Sequence, residues 1–151
     1  MAFAKSNDTI SGRKSVPTGS NVCVVAARFA QDCAAADSAA NNVGVIGILP
    51  AGCVPVLPML VKTSGLGASA AVSVGILDEA TGDISTRAED GGGAWAAAVA
   101  VGAAAAEQVA PTEAYLSVKL AQTDRKIAVK FTAAGSAVGT LELTVPYSPV
   151  E

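Results

Sequence analysis

Thr140-Leu141-Glu142-Leu143-Thr144-Val145 sets three aliphatic side chains against three polar ones in strict alternation. Successive side chains leave a β-strand on opposite sides, so a period of two marks a strand with one buried face and one wet face. Two segments upstream repeat the pattern. Ile127 to Phe131 places Ile127, Val129 and Phe131 on one side, and Tyr115 to Leu120 does the same with Leu116, Val118 and Leu120. The linkers QTDR and AAGSAVG are short and rich in turn formers. The three segments therefore read as hairpins of a meander, with Leu116, Val118, Ile127, Val129, Phe131, Leu141 and Leu143 facing the core.

Further toward the N-terminus, AAVSVGIL puts Val72, Val74 and Ile76 on one face before the turn residues DEATGD. Val43 to Leu49 (VGVIGIL) is a short apolar strand stopped by Pro50 and Gly52, and VCVVAARFA has the β-branched and aromatic content of another. Between these two, QDCAAADSAANN reads as a loop or weak helical turn. In CVPVLPMLVK, Pro55 and Pro58 remove ladder donors, which places this segment at a sheet edge or at a bend between sheets. The exception is GGGAWAAAVAVGAAAAEQVAP. Alanine has the highest helix propensity, so one short helix is expected from about Ala94, although Val99 and Val101 fit a strand equally well. Seven or eight short strands at regular spacing indicate an all-β chain, an antiparallel β-sandwich or jelly roll over residues 21–151.

The 151 residues suffice for one domain with one core. Apolar residues make up 51% but aromatic ones only 4%, so the core is expected to rest on Ala and Val, which offer little contact area each. Charged residues, at 15%, fall well under the globular average of about 25%. Such a chain is expected to hide further surface against other subunits. No apolar run is long enough to span a bilayer, and the first fourteen residues lack a signal-peptide apolar region, so no membrane partner is expected. A net charge of −3 argues against a nucleic-acid partner, which needs a concentrated basic surface.

The charge is unevenly placed. Residues 1–20 carry Lys5, Arg13 and Lys14 against Asp8, a net of +2, which leaves −5 for the rest. This stretch is polar, shows neither helical nor strand period, and reads as an extended arm. Phe3, Ile10 and Val16 are spaced as anchors along it, so Phe3, Lys5, Ile10, Arg13, Lys14 and Val16 are the candidate partner-binding residues.

Catalytic chemistry has little to build on. Without histidine there is no Ser-His-Asp triad, no Cys-His pair and no cupin-type metal centre. Cys23, Cys33 and Cys53 lack CxxC spacing and read as free thiols in a reducing compartment, with a Cys33–Cys53 or Cys23–Cys53 bridge as the alternative. Gly65-Leu66-Gly67-Ala68-Ser69-Ala70 imitates a dinucleotide fingerprint, but an alternating strand follows where a helix must hold the pyrophosphate, so it reads as a turn. Asp78, Glu79 and Asp83 around Gly82 lack the spacing of a calcium loop. Glu89 and Asp90, adjacent on one loop, do not face each other across a sugar. Trp95, Tyr115 and Tyr147 read as packing residues. No catalytic, cofactor or metal site is expected, and the chain reads as a non-enzyme.

Leu49-Pro50-Ala51-Gly52-Cys53-Val54-Pro55-Val56, then AVSVGILDEATGD, then Gly139-Thr140-Leu141-Glu142-Leu143-Thr144-Val145-Pro146-Tyr147 resemble, in order and spacing, small structural proteins of tailed bacteriophages encoded near the major capsid protein. The resemblance spans about Val43 to Pro149 and departs from the pattern in the Ala-rich stretch Ala94 to Ala106. It implies a jelly-roll cement (decoration) protein that binds the outer face of the head and staples neighbouring major capsid protein subunits. The implied partners are the major capsid protein and further copies of the chain, as dimer or trimer. The implied location is the virion, after assembly in the host cytoplasm. A phage tail or receptor- or carbohydrate-binding β-sandwich module is the alternative, and a small lyase or isomerase that works with Lys, Asp, Glu, Tyr or Cys alone is a third.

Overall fold

The computed structural model describes residues 3–13 and 24–150. Among these residues, ten strands form two five-stranded antiparallel sheets. The first sheet orders β1 (Val25–Cys33), β10 (Gly139–Pro149), β4 (Leu60–Thr63) and β8 (Ala105–Gln108), with β3 (Cys53–Pro55) also paired to β10. The second orders β2 (Val43–Leu49), β9 (Arg125–Ala133), β5 (Ala71–Asp78) and β6 (Asp83–Ile84), with β7 (Ala96–Ala100) on the other part of β5. The chain is an all-β, jelly-roll-like sandwich, as the alternation demands.

The core lies between the sheets. Phe29, Leu143 and Val61 stand in register across β1, β10 and β4. Facing them, Val72, Val74, Ile76, Ile127, Val129 and Phe131 are buried on β5 and β9. Gly47 on β2 makes room for Phe29, because a Cβ there would lie 2.6 Å from its ring. A glycine inside a strand commonly marks such a close approach.

Three expectations fail, each for a physical reason. Tyr115 to Leu120 is not a strand: Glu113–Leu116 forms a single helical turn, α1. Tyr115 and Val118 are buried, three residues apart as on a helical turn, while Leu116 is 63% exposed and does not belong to the core. The decisive contact is Tyr115, whose ring meets Trp95 edge-on at 5.4 Å and whose hydroxyl donates to Val56 O at 2.6 Å. The helix expected from Ala94 is instead β7 followed by β8, because pairing to β5 and β4 overrides the weak helical preference of alanine. No meander joins the late segments either, since β9 and β10 lie in opposite sheets and the linker between them crosses the sandwich. The proline-rich segment bends within one sheet, splitting into β3 and β4, both on β10.

Candidate functional site

Among the described residues, strands β1 and β2 end opposite sheets, and a seam lies between them. Residues 3–13 run along it. Their hold begins with a defect in β2: the register to β9 slips between Val45 and Gly47, which leaves Ile46 as a bulge with no register partner on β9. Asn7 Nδ2 donates to that carbonyl at 2.6 Å, and Asn7 itself is buried. The same side chain turns the backbone, because its Oδ1 accepts from Ile10 N at 2.9 Å.

Two further bonds fix the register of the segment. Gln31 Nε2, on β1, donates to Lys5 O at 2.7 Å. Asp37 sits in the helical turn Ala35–Ser38, where its Oδ2 accepts from Ala34 N at 2.8 Å and its Oδ1 accepts from Ala4 N at 2.7 Å. The half-buried Phe3 ring fills the end of the seam over Gly44, where a Cβ would lie 2.5 Å from Phe3 Cγ. Any side chain at residue 44 would meet the ring.

Of the six residues expected to bind a partner, the structure places four. Phe3 and Ile10 are half-buried, while Lys5 and Arg13 are exposed, and Arg13 pairs only loosely with Asp8 at 3.8 Å. Lys14 and Val16 lie outside the described residues, as does Cys23. Asn7, Gln31, Asp37 and the Ile46 bulge were not foreseen. The available signal was the pair of glycines in VGVIGIL, which mark a bulge and a close approach within a strand.

The wet face of the first sheet carries a second polar group. Arg28 and Lys62 flank Glu142 on adjacent strands, with Arg28 Nε 2.7 Å and Lys62 Nζ 3.2 Å from its carboxylate. Hydrogen bonds from Arg28, and then from Lys62, hold the Glu142 carboxyl below its usual range. Around them, Leu60, Ala106, Gln108 and Thr144 line an open depression of about 330 Å³. Five of the exposed large apolar residues, Val24, Leu57, Leu116, Leu120 and Val150, belong to one end of the sandwich. Backbone bonds from Gly52 N to Ala121 O and from Val150 N to Gly52 O tie that end together.

The acidic stretch is engaged internally. Lys130 Nζ donates to Asp83 Oδ2 at 2.6 Å and holds that carboxyl below its usual range, and Lys126 pairs with Glu79 at 2.7 Å. Asp90 is buried and accepts from Ser85 Oγ at 2.7 Å, from Arg87 at 3.1 Å and from Arg125 at 3.3 Å. Glu89 and Asp90 thus serve different surroundings, one wet and one buried. Cys33 and Cys53 are buried free thiols, so the Cys33–Cys53 bridge is not formed. Burial, then the nearby Asp37 and Asp32, pushes the Cys33 thiol up to about 12, which suppresses thiolate chemistry. Gly65 to Ala70 forms the turn between β4 and β5, as expected. Among the described residues no helix is long and apolar enough to cross a membrane, and no three cysteine or carboxylate side chains gather as metal ligands.

No protein-family model and no curated protein sequence matches the chain. A solved structure does match in shape: a chain from the capsid of Ralstonia phage GP4 superposes with a TM-score of 0.74 at 22% identity, over 97% of each chain. The two chains share one fold. A chain from the capsid asymmetric unit of cyanophage Pam1 is more distant, with a TM-score of 0.49 at 13% identity over 89% of this chain and 91% of that one.

Proposed function

We propose that the chain is a virion structural protein without catalytic activity, a cement protein on the outer face of a tailed-phage head that bridges neighbouring major capsid protein subunits. The observation that carries this reading is the likeness of fold, end to end, to a chain from a phage capsid. The surface supports it. A β-face with one charged triad, and exposed apolar residues at one end of the sandwich, offer contacts to a broad protein partner. The order of the LPAG corner, the VGIL strand and the closing GTLELTVPY strand points the same way.

Purified protein added to heads that lack it tests the reading. Saturable co-sedimentation, ordered density outside the shell in electron micrographs, and a higher disruption temperature are expected. Absence of binding to heads, or density confined to tails, overturns it.

A further inference from the structure

The seam between β1 and β2 is built for one specific segment. Its features are a slot over Gly44 for a ring, an acceptor at Asp37, a donor at Gln31 and a bulge carbonyl at Ile46. Phe3, Ala4 N, Lys5 O and Asn7 answer them in order. None of these contacts is a strand ladder continuing into β1, so the segment is a separate unit held by its own few bonds. Residues 14–23 join it to the sandwich, and ten residues reach at most about 35 Å.

We infer that the seam is an acceptor site for residues 3–13 of a second copy of this chain, and that copies exchange these segments when held close together. An exchanged segment makes the same contacts as a retained one, so exchange costs no contact. The choice is then set by effective concentration, which is millimolar for a short tether. Free chains in dilute solution retain their segments. Chains fixed side by side present neighbouring seams at comparable concentration, provided each lies within about 35 Å of the next chain's Val24. Charge does not oppose the exchange, because the segment is basic and Asp32 and Asp37 flank its site. The exchange is a property of the chain itself; its consequence on a head, an interlocked layer of cement, rests on the function proposed above.

Two populations with tags of different size separate exchange from retention. One carries Phe3→Cys and the other Gly44→Cys, positions whose Cβ atoms fall within disulfide reach across the seam. A disulfide between differently tagged chains forms only by exchange. A second pair, Ala4→Cys with Asp37→Cys, keeps the Phe3 ring, and each single variant with wild-type chains controls for Cys23, Cys33 and Cys53. Mixed-tag dimers are expected to be scarce at micromolar protein, to rise at least tenfold toward millimolar, and to be abundant on decorated heads. Their absence with both pairs at millimolar concentration, while the chain carrying both Phe3→Cys and Gly44→Cys closes on itself, overturns the exchange. If mixed-tag dimers form in concentrated solution but wild-type protein does not bind heads, exchange stands and the cement function fails. If wild-type protein binds heads but mixed-tag dimers never form, the cement function stands and exchange fails.

Discussion

Strands β9 and β10 carry large apolar residues set against polar ones, whereas alanine supplies four of five residues in β7 and two of four in β8, and both pairs hold full places in the sandwich. In β10, Leu141, Leu143 and Val145 are buried while Glu142 and Thr144 are partly exposed. In β8 all four residues are exposed, and in β7 only Ala96 and Val99 are buried. The aliphatic pair supplies the burial that stabilises the fold. The alanine pair is a strand by consequence: it has a neighbour to pair with, and side chains too short to obstruct that pairing. Glu107, in register with Val61 at the free edge of β8, also discourages uncontrolled sheet growth there.

The largest expected effect lies on the aliphatic side. Leu143→Ala removes a buried side chain between β1 and β4 and should cost about 2–5 kcal/mol, whereas Ala106→Ser on β8 should stay within about 0.5 kcal/mol. Urea unfolding curves compare them, and equal losses would erase the distinction between the two pairs.

A smaller effect, of opposite sign, is expected in β7. Ala98 has φ of 51° where β7 bulges against Ser73, whose Oγ accepts from Ala98 N at 3.3 Å. Glycine tolerates this left-handed conformation better than alanine, so Ala98→Gly should stabilise the chain by up to about 1 kcal/mol despite its greater freedom when unfolded. A lower melting temperature would mean that the bulge is not what holds this alanine in place.

The smallest concerns the wet face of β10. The folded pKa of Glu142 lies below its ordinary 4.5, so its contribution to stability is present above that value and fades as pH falls through the lowered one. Glu142→Gln should therefore lose under about 1 kcal/mol near neutrality, after discounting for solvent screening, and nothing once the carboxyl is protonated in both the folded and unfolded chain. Melting temperatures of the two proteins measured down the acid range should converge. A constant gap would show that the triad acts through shape and not charge.

What the sequence revealed follows the same division. Where alternation runs through large side chains, as at Ile127 to Phe131 and Thr140 to Val145, the buried face was legible. Period two misled at Leu116 because Tyr115 outweighed it: a ring that can meet Trp95 edge-on and donate to Val56 buries more than a leucine does. Alanine bears too little surface for its pattern to report a face, so helix propensity misleads over Ala94 to Ala106. Asn7 stayed hidden because its partner is a backbone carbonyl at a bulge 39 residues away. The Asp90 to Arg125 pair, 35 residues apart, depended on knowing that the turn after β6 lies beside the start of β9.

The buried pair of rings gives this molecule a built-in optical gauge. Trp95 is the chain's single tryptophan, fully enclosed, with its Nε1 donating to Asp90 O at 3.4 Å and its ring in edge contact with Tyr115. Intrinsic emission excited at the indole band therefore comes from one position, at the entrance to β7, and from nowhere in β9 or β10. A red shift on denaturation registers water reaching Trp95, beside Tyr115 and the alanine-rich flank, while circular dichroism follows the sheets as a whole. Any lag between the two signals measures how independently that flank opens.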